Sequence, residues 1–229
     1  MTRDTHAPEA LRTPTRTSEL LRRLREDLLA GELPAGQPLR MNVLREHYGY
    51  GLTPLREALF QLVAEGLVTV EDQRGFRAAD VSWEDLADLT EQRVFLESQA
   101  LRLSLEHGDL VWESRVLAAH HRLAGTPLLT PNGDLREEWV VAHREFHRVL
   151  VEACGSPRLL RFRELLSDQA ERYRRWSVRQ EPGRDVASEH RALAEAALAR
   201  QSDLAVQCLS EHYWRTARLC HLQDAPQAR

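Results

Sequence analysis

Lysine is absent from this 229-residue chain, so its strongly basic side chains are all arginines. A GC-rich coding sequence produces such a bias, and no function is read from it. Cysteine is scarce: Cys154, Cys208 and Cys220 are odd in number and lack C-x-x-C spacing. That pattern suits a reducing cytoplasm and predicts buried thiols rather than a disulfide framework. No run of eighteen apolar residues occurs, so no transmembrane helix is expected. The first twenty residues are polar and contain Pro8 and Pro14, so no signal peptide is expected either. An excess of positive charge is also missing. The net charge is −4, and residues 1–80 carry 11 Arg against 12 Asp plus Glu. A nucleic-acid-binding domain is usually more basic. Such a role therefore requires arginines gathered on one face and a dimer that doubles the contacts. What is present is an apolar content of 42%, enough for a core in one large or two small domains.

One stretch stands out, from Gly49 to Val68. Two glycines, Gly49 and Gly51, break a helical pattern. Thr53 is a good N-cap, and Pro54 then falls at the first helical position, where its missing N–H costs nothing. Leu55, Leu59, Leu62 and Val63 make one apolar stripe, Glu57 suits the dipole of the first turn, and Gly66 is a natural C-cap. Ahead of it, Thr17 or Ser18 caps a helix running to Ala30, with Leu20, Leu21, Leu24, Leu28 and Leu29 as its core face. A second short helix spans Met41 to Tyr48, with Val43 and Leu44 inward. Two short helices around a tight turn make a helix-turn-helix, which reads DNA from the start of its second helix; an ordinary helical hairpin is the alternative. Leu67 to Val70 and Phe76 to Ala78 read as a hairpin whose tip holds Arg74 and Gly75, a pair able to enter a minor groove or touch phosphate.

Beyond Val81 the pattern is purely helical. Helices are expected near 83–106, 110–123, 135–153, 157–179, 186–200 and 203–222, joined by short Gly- and Pro-marked links into an antiparallel bundle. Residues 1–16 read as a disordered arm and 223–229 as a tail. His143 and His147 are i and i+4 on one helix face. His190 and His212 lie nearly equidistant from the link at Gln201-Ser202, so they sit side by side in an antiparallel hairpin. Four histidines from three helices can thus meet in the bundle as a metal centre; solvated or hydrogen-bonded histidines are the alternative. His6, His47, His107, His120, His121 and His221 show no pattern.

The run Leu33 to Leu39, then Thr53-Pro54-Leu55-Arg56-Glu57-Ala58-Leu59, Glu65-Gly66-Leu67-Val68 and Arg74-Gly75-Phe76, resembles the winged helix-turn-helix of GntR-family transcription regulators over residues 17–80. Phe146-His147, Glu189-His190 and His212 resemble the ligand-binding FCD bundle that follows it in many such regulators, here over residues 81–222. The fold implied is mainly α, a winged domain followed by an FCD-like all-α bundle. The resemblance implies a cytoplasmic homodimer on a two-fold duplex operator, with no membrane partner. It also implies a divalent metal that contacts a small carboxylate effector.

Two departures from the family pattern are visible. His143 stands where the family has an aspartate, so the implied ligands are His143, His147, His190 and His212, an uncharged set favouring Zn or Ni. Cys208, one turn before His212, is a substitute donor or a structural thiol. Tyr50-Gly51-Leu52 stands where the family has Val-Ser-Arg, which removes one DNA-contacting arginine. Arg56 keeps the base-reading position and Thr53 the phosphate-contacting hydroxyl, while Arg40 and Arg45 flank the second helix as backbone contacts. Arg93 and Glu97, at i and i+4, match a family pair in which the arginine faces the effector; a plain salt bridge is the alternative. Two rivals follow: a metal-dependent enzyme, and a degenerate regulator without sequence-specific DNA binding.

Overall fold

Leu20, Leu24 and Leu28 recur at four-residue spacing, and all three are buried on one face of α1 (Arg16–Ala30). The computed structural model describes residues 16–177 and 183–221, apart from the side chains of Trp176 and His221. The expected arm before Arg16, the tail 223–229 and the helix ends expected at 179 and 222 lie outside the described residues. The chain divides between Ala79 and Asp80 into two units.

In the first unit, α2 (Met41–Tyr48) and α3 (Leu52–Ala64) follow α1 and pack on it through Leu44, Tyr48, Leu55, Ala58, Leu59 and Leu62. Val43, expected inward, is 57% exposed. Leu44 and Tyr48 form the i, i+4 stripe, and Val43 lies about 100° round from it. The cap of α3 also differs. Gly51 is the N-cap with φ −69° and ψ 167°, the helix begins at Leu52, and Thr53 lies inside the first turn. Leu55 N–H is the first to bond back, to Gly51 O. Pro54 therefore still sits where no N–H has an intrahelical partner, so the proline did not require a start at Thr53. At the far end Glu65 is the cap and Gly66 follows with φ +74°, letting Leu67 N–H reach Leu62 O at 3.0 Å.

Strands β1 (Val68–Glu71) and β2 (Gly75–Ala78) pair antiparallel, with Val68 opposite Ala78 and Glu71 opposite Gly75. The segment before α2 adds to the outer edge of β2: Leu39 N–H donates to Phe76 O, and Ala78 N–H to Gln37 O. Residues 33–39 are thus partly an edge of the wing, a pairing no local signal announces.

The second unit comprises α4 (Trp83–His107), α5 (Leu110–Gly125), α6 (Glu137–Val151), α7 (Pro157–Ser177), α8 (Val186–Leu198) and α9 (Ser202–His221). Ser82, Asp109 and Asp185 cap α4, α5 and α8 through their side chains. Helix α6 starts at Glu137, two residues later than expected, because Leu135 bridges to Leu129 and Arg136 N–H donates to Leu128 O. Helix α4 packs on α7 and α9, α5 on α6 and α8, and α8 on α9, around fully buried Phe146, Leu101, Leu150, Leu193 and Leu209. Of the three cysteines only Cys154 is buried; Cys208 and Cys220 are half-buried, and all three are free thiols.

Candidate metal centre and DNA-reading face

Phe146 anchors α6 in the core, and the next residue, His147, and His143, one turn before His147, are buried with it. Helices α8 and α9 reverse at Arg200 (φ +56°), which brings His190 and His212 together with ring centroids 4.7 Å apart. All four histidines are buried, and one ring nitrogen from each lies within 4.8 Å of the others. The Nε2 atoms of His143, His147 and His190 are buried without a hydrogen-bond partner. Buried nitrogens left without a partner are costly unless something satisfies them. Burial first, then the charges of Arg174 and the neighbouring rings, holds His143 well below the usual histidine range. Burial acts likewise on His147, His190 and His212. Neutral imidazole is the metal-binding form, so the donor set fits a borderline divalent ion such as Zn or Ni. Cys208 is not part of this cluster among the described residues.

The shell around the rings escaped the sequence reading. Glu189 Oε2 lies 2.8 Å from His212 Nδ1. Burial would raise the Glu189 carboxyl, but the bonds from Arg184 and His212 hold it down at about 2. Tyr213 O–H donates to Glu97 at 2.8 Å, and its oxygen lies 3.2 Å from His147 Nδ1. Arg174, paired with Glu171, donates from Nη1 to His143 Nδ1 at 2.7 Å. Burial, then the charges of Arg93, Arg144 and Arg175, pushes the Arg174 guanidinium down to about 9. Trp139 stacks on His143 with centroids 4.6 Å apart. Glu189 belongs to the Glu189-His190 motif already noted, and Trp139 lies one turn before His143 on α6; Tyr213 and Arg174 reach His147 and His143 across the bundle.

Arg93 lies over the Tyr213 ring at 4.0 Å and lines a cavity of about 20 Å³ with Thr90, His143, Tyr173, Arg174 and His212. Glu97 does not line it. Its carboxylate is fully buried and held by Arg93 at 3.3 Å, Arg163 at 3.2 Å and Tyr213. The expected pair therefore splits: Arg93 faces the cavity, and Glu97 holds Arg93. Burial would raise the Glu97 carboxyl, yet Arg163 and Arg93 keep it below the usual range. A second cavity of about 190 Å³ is lined by His190, Trp139, His120, Leu128 and Arg184.

In the first unit Arg40, Arg45, Thr53 and Arg56 are exposed on and before α2 and α3. Among the described residues the three arginines pair with no carboxylate. Arg74 is 80% exposed at the hairpin tip beside Gly75 (φ +88°). Arg74 also lies 4.0 Å from Glu71, while Arg22, Arg25 and Arg77 are held by Glu19 and Glu26, by Glu65, and by Glu71. The near-neutral balance of the unit thus conceals a segregation: several acids are spent on arginines away from α3's start.

Residues 88–215 match the FCD domain, and residues 16–77 match the family described as bacterial regulatory proteins, gntR family. Over 193 residues the chain is 39% identical to the uncharacterized HTH-type transcriptional regulator BphR of Paraburkholderia xenovorans strain LB400, covering 83% of this chain and 79% of that protein. It is 37% identical over 194 residues to the HTH-type transcriptional repressor GlaR of Escherichia coli strain K12, covering 82% and 88%. The solved structure of E. coli McbR/YncC shares the fold, with a TM-score of 0.76 at 21% identity over 93% of this chain and 100% of that one.

Proposed function

We propose, from the premise that the chain belongs to the gntR family of bacterial regulatory proteins and carries an FCD domain, that this DNA-binding transcription regulator is a metal-dependent, acid-responsive repressor. The family is one of regulators rather than enzymes. The protein acts in the cytoplasm as a homodimer on a two-fold operator. Helix α3 enters the major groove with Arg56 on a base edge, Thr53, Arg40 and Arg45 contact phosphates, and Arg74 with Gly75 reaches the flanking minor groove. In the second unit a divalent metal, Zn or Ni, sits among the four histidines, and Arg93 grips the carboxylate of a small effector. The convergence of buried, partnerless imidazole nitrogens carries this reading.

The cavity beside Arg93 holds about one water, being close to 20 Å³. A carboxylate must therefore displace side chains to enter. Tyr173 lines that cavity, and its hydroxyl donates to Asp85 at 2.7 Å and accepts from Ser82 N–H at 3.3 Å. Those residues open α4, just after the break between the units. Displacing Tyr173 would release the start of α4 and alter how the two winged domains are spaced; such coupling is typically about 1–3 kcal/mol.

Selection of duplexes from a random pool by the purified protein at low salt tests the core of this reading. Enrichment of a palindrome that is lost with Arg56→Ala supports it, and Zn or Ni with a panel of small acids can then be scored for release. No enrichment at any salt would sink operator recognition and favour the degenerate-regulator reading that Gly51 and Leu52 suggest.

A further inference from the structure

The clustered rings are not equivalent, and hydrogen-bond polarity fixes the proton's place in three of the four, His212, His147 and His143. The Glu189 carboxylate, held by Arg184 at 2.6 Å, accepts from His212 Nδ1 at 2.8 Å, a closer partner than Arg184 Nη2 at 3.5 Å, which leaves His212 Nε2 a lone pair. The single proton of the Tyr213 hydroxyl goes to the Glu97 carboxylate, an acceptor only; its oxygen therefore accepts from His147 Nδ1, and His147 Nε2 is also a lone pair. His143 is reversed. Arginine has no acceptor, so the guanidinium of Arg174 donates and His143 Nδ1 accepts, at 2.7 Å. A ring that accepts at Nδ1 carries its proton on Nε2, the atom that is buried without a hydrogen-bond partner. A metal requires a lone pair there, and its usual support is a donating N–H on the other ring nitrogen. His143 has both requirements inverted. Its ring is clamped in that orientation by Trp139, stacked at 4.6 Å with an interplanar angle of 22°.

We propose that His143 is not a metal ligand in this chain, and that His147, His190 and His212 alone hold the ion. His143 instead offers its Nε2–H as a donor to an oxygen anion entering the open fourth position. Arg93 and Arg174, which line the same small cavity, supply the compensating charge. The position that carries an acid in the family is here turned into part of an anion cradle. This rests on the metal reading above.

The test uses the full chain loaded with one equivalent of Zn²⁺. X-ray absorption at the zinc edge should count three imidazoles, and ¹⁵N spectra of the imidazoles should place the His143 proton on Nε2. In chelator competition, His147→Ala should weaken Zn²⁺ binding on the order of 100-fold or more, whereas His143→Ala should change it by no more than about 3-fold. Four imidazoles at the edge, or His143→Ala losing zinc as badly as His147→Ala while both stay folded by circular dichroism, overturns the proposal and leaves the metal centre standing. Failure of the unaltered chain to take up Zn²⁺ or Ni²⁺ overturns both. The zinc-edge count needs no variant, so a His143→Ala protein that misfolds does not remove the test.

Discussion

Gly51 leaves space that a side chain could fill. A Cβ built there meets only Pro54 Cδ at 3.8 Å, and its φ of −69° suits any residue. The family's Ser-Arg pair is therefore missing without a steric reason. Gly51→Ser with Leu52→Arg should tighten duplex binding by about 1–3 kcal/mol through one restored contact, read by fluorescence anisotropy at fixed salt. Unchanged affinity would mean that this helix start does not face DNA. Glu97 gives a second residue-scale prediction. Its carboxyl lies lower in the folded protein than in the unfolded chain, which therefore binds the extra proton in acid. Its stabilisation is thus fully present above the ordinary carboxylate value of about 4.3 and is lost as pH falls through the depressed one. Glu97→Gln, which strands Arg93 and Arg163, should cost about 3–5 kcal/mol at pH 7 in urea unfolding. The gap from the unaltered protein should close in acid; parallel curves from pH 7 to 3 would exclude this role.

At the scale of elements, the proposed function divides DNA recognition between α2 and α3. Arg56→Ala on α3 should relax sequence preference by about 1–3 kcal/mol at one base position. Arg45→Ala on α2 should weaken all duplexes alike and reduce the salt slope by about 1. Equal loss on specific and random duplexes for both variants would contradict that division. The existence and order of these helices were legible because stripes such as Leu55, Leu59 and Leu62 follow the helical period. Their edges were less so: any first-turn position tolerates Pro54, and the true cap was settled by the extended backbone of Gly51. In α7 the neighbours Tyr173 and Arg174 serve opposite ends of one path, the start of α4 and the ring of His143. Tyr173→Phe should speed hydrogen exchange at the first amides of α4 with no loss of zinc. Unaltered exchange there would disconnect the cavity from α4.

For the whole molecule, two separately packed units predict two responses to one ion. Zinc at about 100 times its dissociation constant should stabilise the second unit by about 2.7 kcal/mol. The winged unit should stay where it was, in a melt followed by unit-specific probes. A chelator should reverse the shift; equal shifts in both units would point to nonspecific binding.

Sequence alone determined the division into a winged unit and a helical bundle, the face of each long helix, and the meeting of the four histidines. All of these follow from local periodicity and from counting outward from a turn. It also singled out Arg40, Arg45 and Arg56, which the structure leaves exposed. Tertiary structure decided the rest. The edge pairing of residues 37–39 on β2, the withdrawal of Glu97 to Arg163 and Tyr213, and the approach of Arg174 to His143 join residues 31 to 116 positions apart. Which nitrogen of a histidine carries its proton depends on the partner that reaches the other nitrogen. That partner is brought there by helix packing, and no spacing along the chain encodes it.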